Sequence, residues 1–396
     1  MMRMKTEALK NIYLVNLGVS AKDRVLVFTD RISKREQTPR GRELARRQQL
    51  REIARTTAAE GRGLAKEIIY LEYPATGAPA IEPPKALWVA AFGGKCVEEL
   101  LEKGLLRDLM RKKTKNSHAG KDFCPAEDPV DAAGKIVKKY SKAAVDAVVA
   151  LSNYSTTHTT FRKLLTGYAG ARYASMPLFD APMLKGPMGV DYAALKKFTR
   201  QVAGTIEGAG RLEVTAPNGT RLLFSRGKRK VHEDNGDYRK PGAAGNLPAG
   251  EVYLAPVEGT ANGRLVLEWA PTRKLKTPVT LLVKDGVVTE IEGREPFAGE
   301  LRKRLAACAE CGNIAELGIG TNPMATRPGN ILESEKILGT IHIALGDNHT
   351  FGGKVQAPFH QDFVFFSPTL KVFPSSGGTG FAVIKNGKHR TPAEEK

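Results

Sequence analysis

The sequence predicts an α/β domain with a mostly parallel sheet, followed by an α+β domain. Three observations lead there. The first half alternates short apolar runs with helical stretches, which is the grammar of an open parallel sheet. After about residue 204 strand-like runs follow one another instead, beginning with a hairpin signal at Asn218-Gly219. The length of 396 residues suits about two domains at ~100–200 residues each. The expected division is residues 1–203, residues 204–384, and a flexible basic tail at 385–396.

Taken in order, residues 23–30 (DRVLVFTD) read as a strand and 43–61 as a helix ended by Gly61. Residues 67–74 (EIIYLEYP) and 86–93 (ALWVAAFG) read as strands, 96–112 as a helix, and 146–152 (DAVVALS) as a buried strand. Residues 176–206 are rich in Pro and Gly and then helical, which suits a domain connection. Two strands flank Asn218-Gly219, and strands continue at 263–271, 279–293 and 315–320, with helices at 296–308 and 331–338.

Composition is ordinary for a globular chain, 41% hydrophobic and 26% charged. The apolar runs fall far short of the roughly 20 residues a membrane helix needs, and the start lacks an apolar signal core. A soluble cytoplasmic protein with no membrane contact is expected. Four cysteines do not make a secreted disulfide framework; Cys308 and Cys311 read as core packing at a helix end. The net charge is +19, of which +15 falls in residues 1–200. The arginine-dense stretch 31–63 has no aromatic residue to stack bases. It reads as a solvated basic surface, with weak polyanion binding left open.

The chemistry concentrates near the C-terminus. In a strand, residues two apart share a face, so His360 and Asp362 project side by side. His342 shares its face with Ala344 and Gly346, which leaves open space before the imidazole. Glu316 shares a face with Gly318 and Gly320, and Glu251 with Tyr253 and Ala255. Singly, a strand glutamate usually faces solvent and a strand histidine is usually hydrogen-bonded core. Jointly, carboxylates within apolar strands are costly to bury, and a bound cation removes that cost. Five candidate ligands follow: Glu251, Glu316, His342, His360 and Asp362. His349 lies on the turn-rich loop after His342, where functional side chains often sit.

At these residues the chain resembles the aminopeptidase T family of metallo-aminopeptidases. The matching stretches are GNLPAGEVYLAP (245–256), AELGIGTNP (315–323), ILESEKILGTIHIALGDN (331–348) and HQDFV (360–364), with LSNYSTTHTTFRK (151–163) a further likeness. The resemblance implies an N-terminal α/β domain, a metal-binding α+β C-terminal domain, and a homodimer. It implies hydrolysis of N-terminal residues from peptides at a two-metal site of zinc or cobalt, with manganese as an option. Its ligands fall on Glu251, Glu316, His342, His360 and Asp362. A family tyrosine seven residues after the strand histidine is His349 here, a candidate acid or base.

Two alternatives stay open. The family is similar to 2,5-dihydroxypyridine dioxygenase, so a one-iron enzyme can occupy the same scaffold. A basic binding protein with a vestigial metal site is the other. The filling of all five ligand positions favours two ions and hydrolysis.

Overall fold

The computed structural model describes residues 2–34, 36–110 and 128–390. The chain forms two compact units, residues 1–185 with 237–247 and residues 186–236 with 248–396. The division expected at 203/204 falls instead inside a helix, and the first unit takes back a short later segment.

Unit 1 runs α1 (Met2–Asn11), β1 (Arg24–Arg31), α2 (Gly41–Gly61), β2 (Glu67–Pro74), α3 (Lys85–Phe92), α4 (Gly94–Glu102), α5 (Leu105–Met110), α6 (Pro129–Lys139), β3 (Ala147–Ala150), α7 (Thr160–Gly167) and β4 (Arg172–Ser175). Its sheet has the order β2-β1-β3-β4, closed at the far edge by the returning strand Ala244–Asn246. All four pairings are parallel. Leu26, Val27 and Phe28 and all of β3 are buried, because helices cover both faces of such a sheet.

Two expectations fail here. Residues 86–93 are not a strand but the body of α3. Leu87, Trp88, Ala91 and Phe92 form its buried face, while Val89 is exposed. An eight-residue apolar run has no period of its own, and Pro83-Pro84 ahead of it starts a helix readily. The helix expected at 96–112 breaks into α4 and α5 at Gly104, whose φ of +72° ends the first piece; residues 111–112 lie outside the described residues. Four arginines of α2 are paired with acids of the unit. Arg46 pairs with Glu43, Arg47 with Glu36, and Arg51 and Arg55 with Glu72.

Unit 2 begins with α8 (Tyr192–Glu207), capped by Asp191, which accepts from the Ala193 and Ala194 N–H groups. β5 (Ala209–Thr215) and β6 (Arg221–Ser225) form the hairpin, turning at Gly219 with φ +95°. Then come β7 (His232–Asp234), β8 (Ala244–Asn246, the strand returned to unit 1), β9 (Glu251–Leu254), β10 (Asn262–Ala270), β11 (Arg273–Lys284) and β12 (Val287–Glu292). The chain closes with α9 (Pro296–Ala306), β13 (Ile314–Gly320), α10 (Ile331–Ser334), β14 (Ile341–Gly346), β15 (His360–Phe365), β16 (Thr369–Pro374), β17 (Phe381–Lys385) and β18 (Lys388–His389).

These strands make two antiparallel sheets, β12-β11-β10-β6-β5-β16-β17-β18 and β15-β14-β13-β9-β7. One apolar core joins them, with Leu212, Leu265 and Leu281 from the first and Val252, Leu317, Ile343 and Phe363 from the second. The helix expected at 331–338 is a single turn. Asn330 caps it through the Leu332 N–H, but Glu333 turns away to accept from the Thr326 and Arg327 N–H groups. Cys308 and Cys311 are joined as a disulfide across Cα atoms 5.3 Å apart, rather than packed as thiols. Of the expected tail, residues up to 389 complete the β17–β18 hairpin, and 391–396 lie outside the described residues. Among the described residues no helix is long and apolar enough to cross a membrane.

Candidate metal centre

The five-stranded sheet of unit 2 has two unlike faces. One meets the apolar core. On the other, cross-strand register lines up four rows. Asp234 lies opposite Glu251, and Glu251 opposite Gly320. His232, Tyr253, Gly318, His342 and Val364 form the next row. Glu316, Ala344 and Asp362 form the third, and Gly346 with His360 the fourth. Directly opposed residues have Cβ atoms ~4.5–5.5 Å apart, so the polar side chains of adjacent rows converge.

Small residues make the room. A Cβ on Gly318 would lie 1.9 Å from His342 Nε2, and one on Gly320 would lie 2.0 Å from the Ile337 carbonyl oxygen. A register break between Ile314 and Glu316 re-aims the strand just before the glutamate.

The structure brings Glu251, Glu316, His342, His360 and Asp362 together. His342 Nε2 is 3.4 Å from both Glu251 Oε2 and Glu316 Oε1. His360 Nε2 is 3.5 Å from Glu316 Oε2 and 3.6 Å from Asp362 Oδ1. These separations approach the polyhedron edge around an ion with ligand bonds of ~2.1 Å. Two triads have donor atoms within 4.8 Å of one another: Glu251, Glu335 and His342, and Glu316, His342 and Asp362. Glu251 Oε2 is buried without a hydrogen bond, the condition a cation relieves. The donor set fits a divalent metal ion.

Orientation comes from outside the cluster. His360 Nδ1 lies 2.7 Å from the Asp347 carbonyl oxygen. A carbonyl only accepts, so Nδ1 carries a proton and Nε2 is the nitrogen turned to the cluster. The loop is itself held, with the Asp347 N–H on the Phe359 carbonyl and the Asn348 amide on Glu258. An aromatic line runs beside the cluster. His232 stacks on Tyr253 at 5.0 Å, and the Phe351 ring stands edge-on to both Tyr253 and His360 at 5.8 Å.

Charge is concentrated. Burial opposes protonation of His342, yet Glu316, Glu251 and Asp362 lift it to about 9. Burial likewise opposes His360, which Asp362 and Glu316 lift to about 10. Burial works against ionisation of Asp362, but the two histidines and Lys336 hold it well below the usual carboxylate range. Burial raises Glu316, and lifts Glu335 to about 7 against the pull of Lys336.

His349 is not brought into the cluster. It stands exposed on the turn His349–Phe351. Sequence reasoning missed Asp234, Glu335 and Lys336. Lys336 is fully buried, with Nζ 2.5 Å from Glu251 Oε1 and 2.8 Å from Glu335 Oε1. Glu335-Lys336 reads in sequence as the charged face of a helix, and β7 is too short to show a period. Nothing in the pattern marked them.

A family model described as NicX, 2,5-dihydroxypyridine 5,6-dioxygenase, matches residues 190–373. No curated protein matches the chain. Among solved structures, the chain is similar to 2,5-dihydroxypyridine dioxygenase from Pseudomonas putida KT2440 at 17% identity and a TM-score of 0.68, covering 99% of this chain and 98% of that one. It is also similar to wild-type AmpT from Thermus thermophilus at 12% identity and a TM-score of 0.54, covering 98% of this chain and all of that one. At these identities the structures establish the shared two-domain fold alone: an α/β unit with a parallel sheet, then an antiparallel-sheet unit.

The family model overturns the metal-dependent aminopeptidase expected from sequence, and the hydrolase and protease assignments fall with it. The residues that carry the centre lie within the stretch that matches a family model described as a dioxygenase, an oxidoreductase. The motifs that suggested a peptidase are strands of a scaffold both enzymes use, and likeness in a scaffold does not fix a reaction.

Proposed function

We propose that this chain is a mononuclear non-haem iron dioxygenase acting on a dihydroxylated aromatic or N-heteroaromatic ring. The observation that carries the single-ion part is the sharing of one nitrogen. Both triads draw on His342, whose Nε2 faces Glu251 and Glu316 equally. One imidazole nitrogen has one lone pair for one metal. The triads are alternatives around a single ion.

The triad of Glu316, His342 and Asp362 has His360 at its edge, with Nε2 3.5 Å from Glu316 and 3.6 Å from Asp362; two histidines and a carboxylate around one ion are the donors of non-haem Fe(II) oxygenases. One iron replaces the two zinc, cobalt or manganese ions of the sequence expectation. The description of the matched family model supports the reaction class. When bound, iron in such a set supplies the one-electron chemistry that dioxygen requires.

The chain's own residues do the rest. The Asp347 carbonyl keeps His360 Nε2 presented. Glu251, with Oε1 on Lys336 and Oε2 free of hydrogen bonds, is placed to accept a proton from a ring hydroxyl. Tyr253, with the Phe351 ring edge-on to it, offers an aromatic lining for the ring. Its exposed position gives His349 no part in this reading. A homodimer and weak polyanion binding stay within the proposal; sedimentation and salt-dependent retention on nucleic acid measure them.

The test is anaerobic loading with Fe(II), then oxygen uptake and loss of ring absorbance with 2,5-dihydroxypyridine in air. Uptake should match ring loss and disappear in Asp362→Ala. Ring loss without oxygen uptake, or none with Fe(II), ends the reading.

A further inference from the structure

We propose that Lys336 fills, with its own ammonium group, the place of a second metal ion, and so confines the centre to one. This rests on the single-ion reading above and says what neutralises the acids that an ion shared with Glu316 and Asp362 leaves over. Of the two triads, one is Glu251, Glu335 and His342. Both of its carboxylates already hold Lys336 Nζ, at 2.5 and 2.8 Å, and Asp234 Oδ2 lies 4.0 Å from the same nitrogen. The ammonium thus sits among three acids, as a cation would. The other triad, Glu316, His342 and Asp362, has no such ion pair with Lys336 among the described residues.

The lysine is built in rather than drawn in. Its backbone carbonyl accepts from the Asn322 N–H, and its own N–H donates to the Glu333 carbonyl. The next residue, Ile337, bridges to Asn322 and lies so close to Gly320 that a side chain there would collide with it. With the backbone pinned against the end of β13 and the side chain fully buried, the ammonium has no route to solvent. A divalent ion entering this half would meet a fixed positive charge within contact distance. Like charges so placed repel strongly where the dielectric is low.

The experiment counts metal. Wild type, Lys336→Met and Lys336→Arg are stripped with chelator, reloaded with excess Mn²⁺ and desalted, then assayed by elemental analysis and electron paramagnetic resonance. Wild type and Lys336→Arg should each hold one ion per chain. Lys336→Met should hold two, the second on Glu251, Glu335 and Asp234 without a share of His342, with the spectrum of a spin-coupled pair. One ion in both wild type and Lys336→Met overturns the role of Lys336 and leaves the single-ion reading standing. Two ions in wild type overturn both.

Should Lys336→Met fail to fold, Glu251→Gln decides. If Glu251 serves the lysine and not the metal, the variant keeps its single Mn²⁺ with affinity within about threefold of wild type. Loss of the ion, or weakening beyond tenfold, overturns the proposal.

Discussion

The two sheets of this molecule carry their information differently. In unit 1 the parallel sheet is buried on both faces, and β3 is four buried apolar residues in a row. In unit 2 the five-stranded sheet has an apolar face and a polar one, and Leu317, Ile319, Ile341 and Ile343 alternate with Glu316, Gly318, His342 and Ala344. A two-sided sheet stores its specification in packing. A one-sided sheet stores it in the order of residues along the strand. The first is a structural platform whose defects cost stability. The second is a chemical platform whose defects cost metal and leave the fold.

That contrast can be broken, and the largest expected effect comes from unit 2. His342→Ala should lower oxygen-coupled turnover by about 100-fold or more and abolish stable iron binding, while circular dichroism and the unfolding midpoint stay near wild type. A collapse of stability would show that this face also holds the fold.

In unit 1 the strongest single change is Arg47→Ala. It strands Glu36, whose partner is a guanidinium only 4% exposed. Removing one member of such a pair should cost about 3 kcal/mol in urea unfolding, with iron content per folded chain unchanged. Lost iron there would erase the division of labour.

A matched pair of glycine substitutions sharpens it further. In Gly318→Ala the new methyl would lie 1.9 Å from His342 Nε2, so metal affinity against a competing chelator should fall ~10–100-fold. In Gly134→Ala it would lie 2.2 Å from the Tyr168 ring, so stability should fall about 1–3 kcal/mol with metal affinity unchanged.

The smallest effect is a pH dependence in unit 1. Burial works to raise Glu36, but hydrogen bonds from Arg47, Tyr154 and the Ser33 N–H hold its carboxyl below the usual glutamate range. A lowered carboxylate contributes stability above its unfolded pKa and loses it as pH falls through the lowered value. Wild type should therefore lose its advantage over Glu36→Gln, on the order of 1 kcal/mol or less, as pH falls from the ordinary glutamate range through the lowered value. A constant difference down to acid pH would mean that the pair contributes shape rather than charge.

The same contrast explains what could be read in advance. Strict alternation in TIHIALG and AELGIG assigned each side chain to a face, and the small residues beside His342 announced the open space. No such alternation exists in ALWVAAF, and an apolar run without a period reads as a strand where the structure has α3. Gly104 was visible, but whether a glycine bends or ends a helix depends on what packs around it. Lys336 was illegible because charged residues in a short polar turn look solvent-exposed whether or not a sheet folds over them. The reaction was the hardest part. A shared scaffold does not fix a reaction, and sequence spacing does not report a contact such as the 2.5 Å between Lys336 and Glu251.

The return of Ala244–Asn246 to the edge of the first sheet sets a schedule for biosynthesis. The backbone edge of β4 acquires its last partner only after residue 247 has emerged from the ribosome, by which time α8 and the β5–β6 hairpin have already been made. Nascent unit 1 therefore carries an unsatisfied strand edge through the translation of some sixty residues, at ~5–20 residues per second. During those seconds the open edge is a template for pairing with another chain, which makes this interval the one at which a chaperone would matter most.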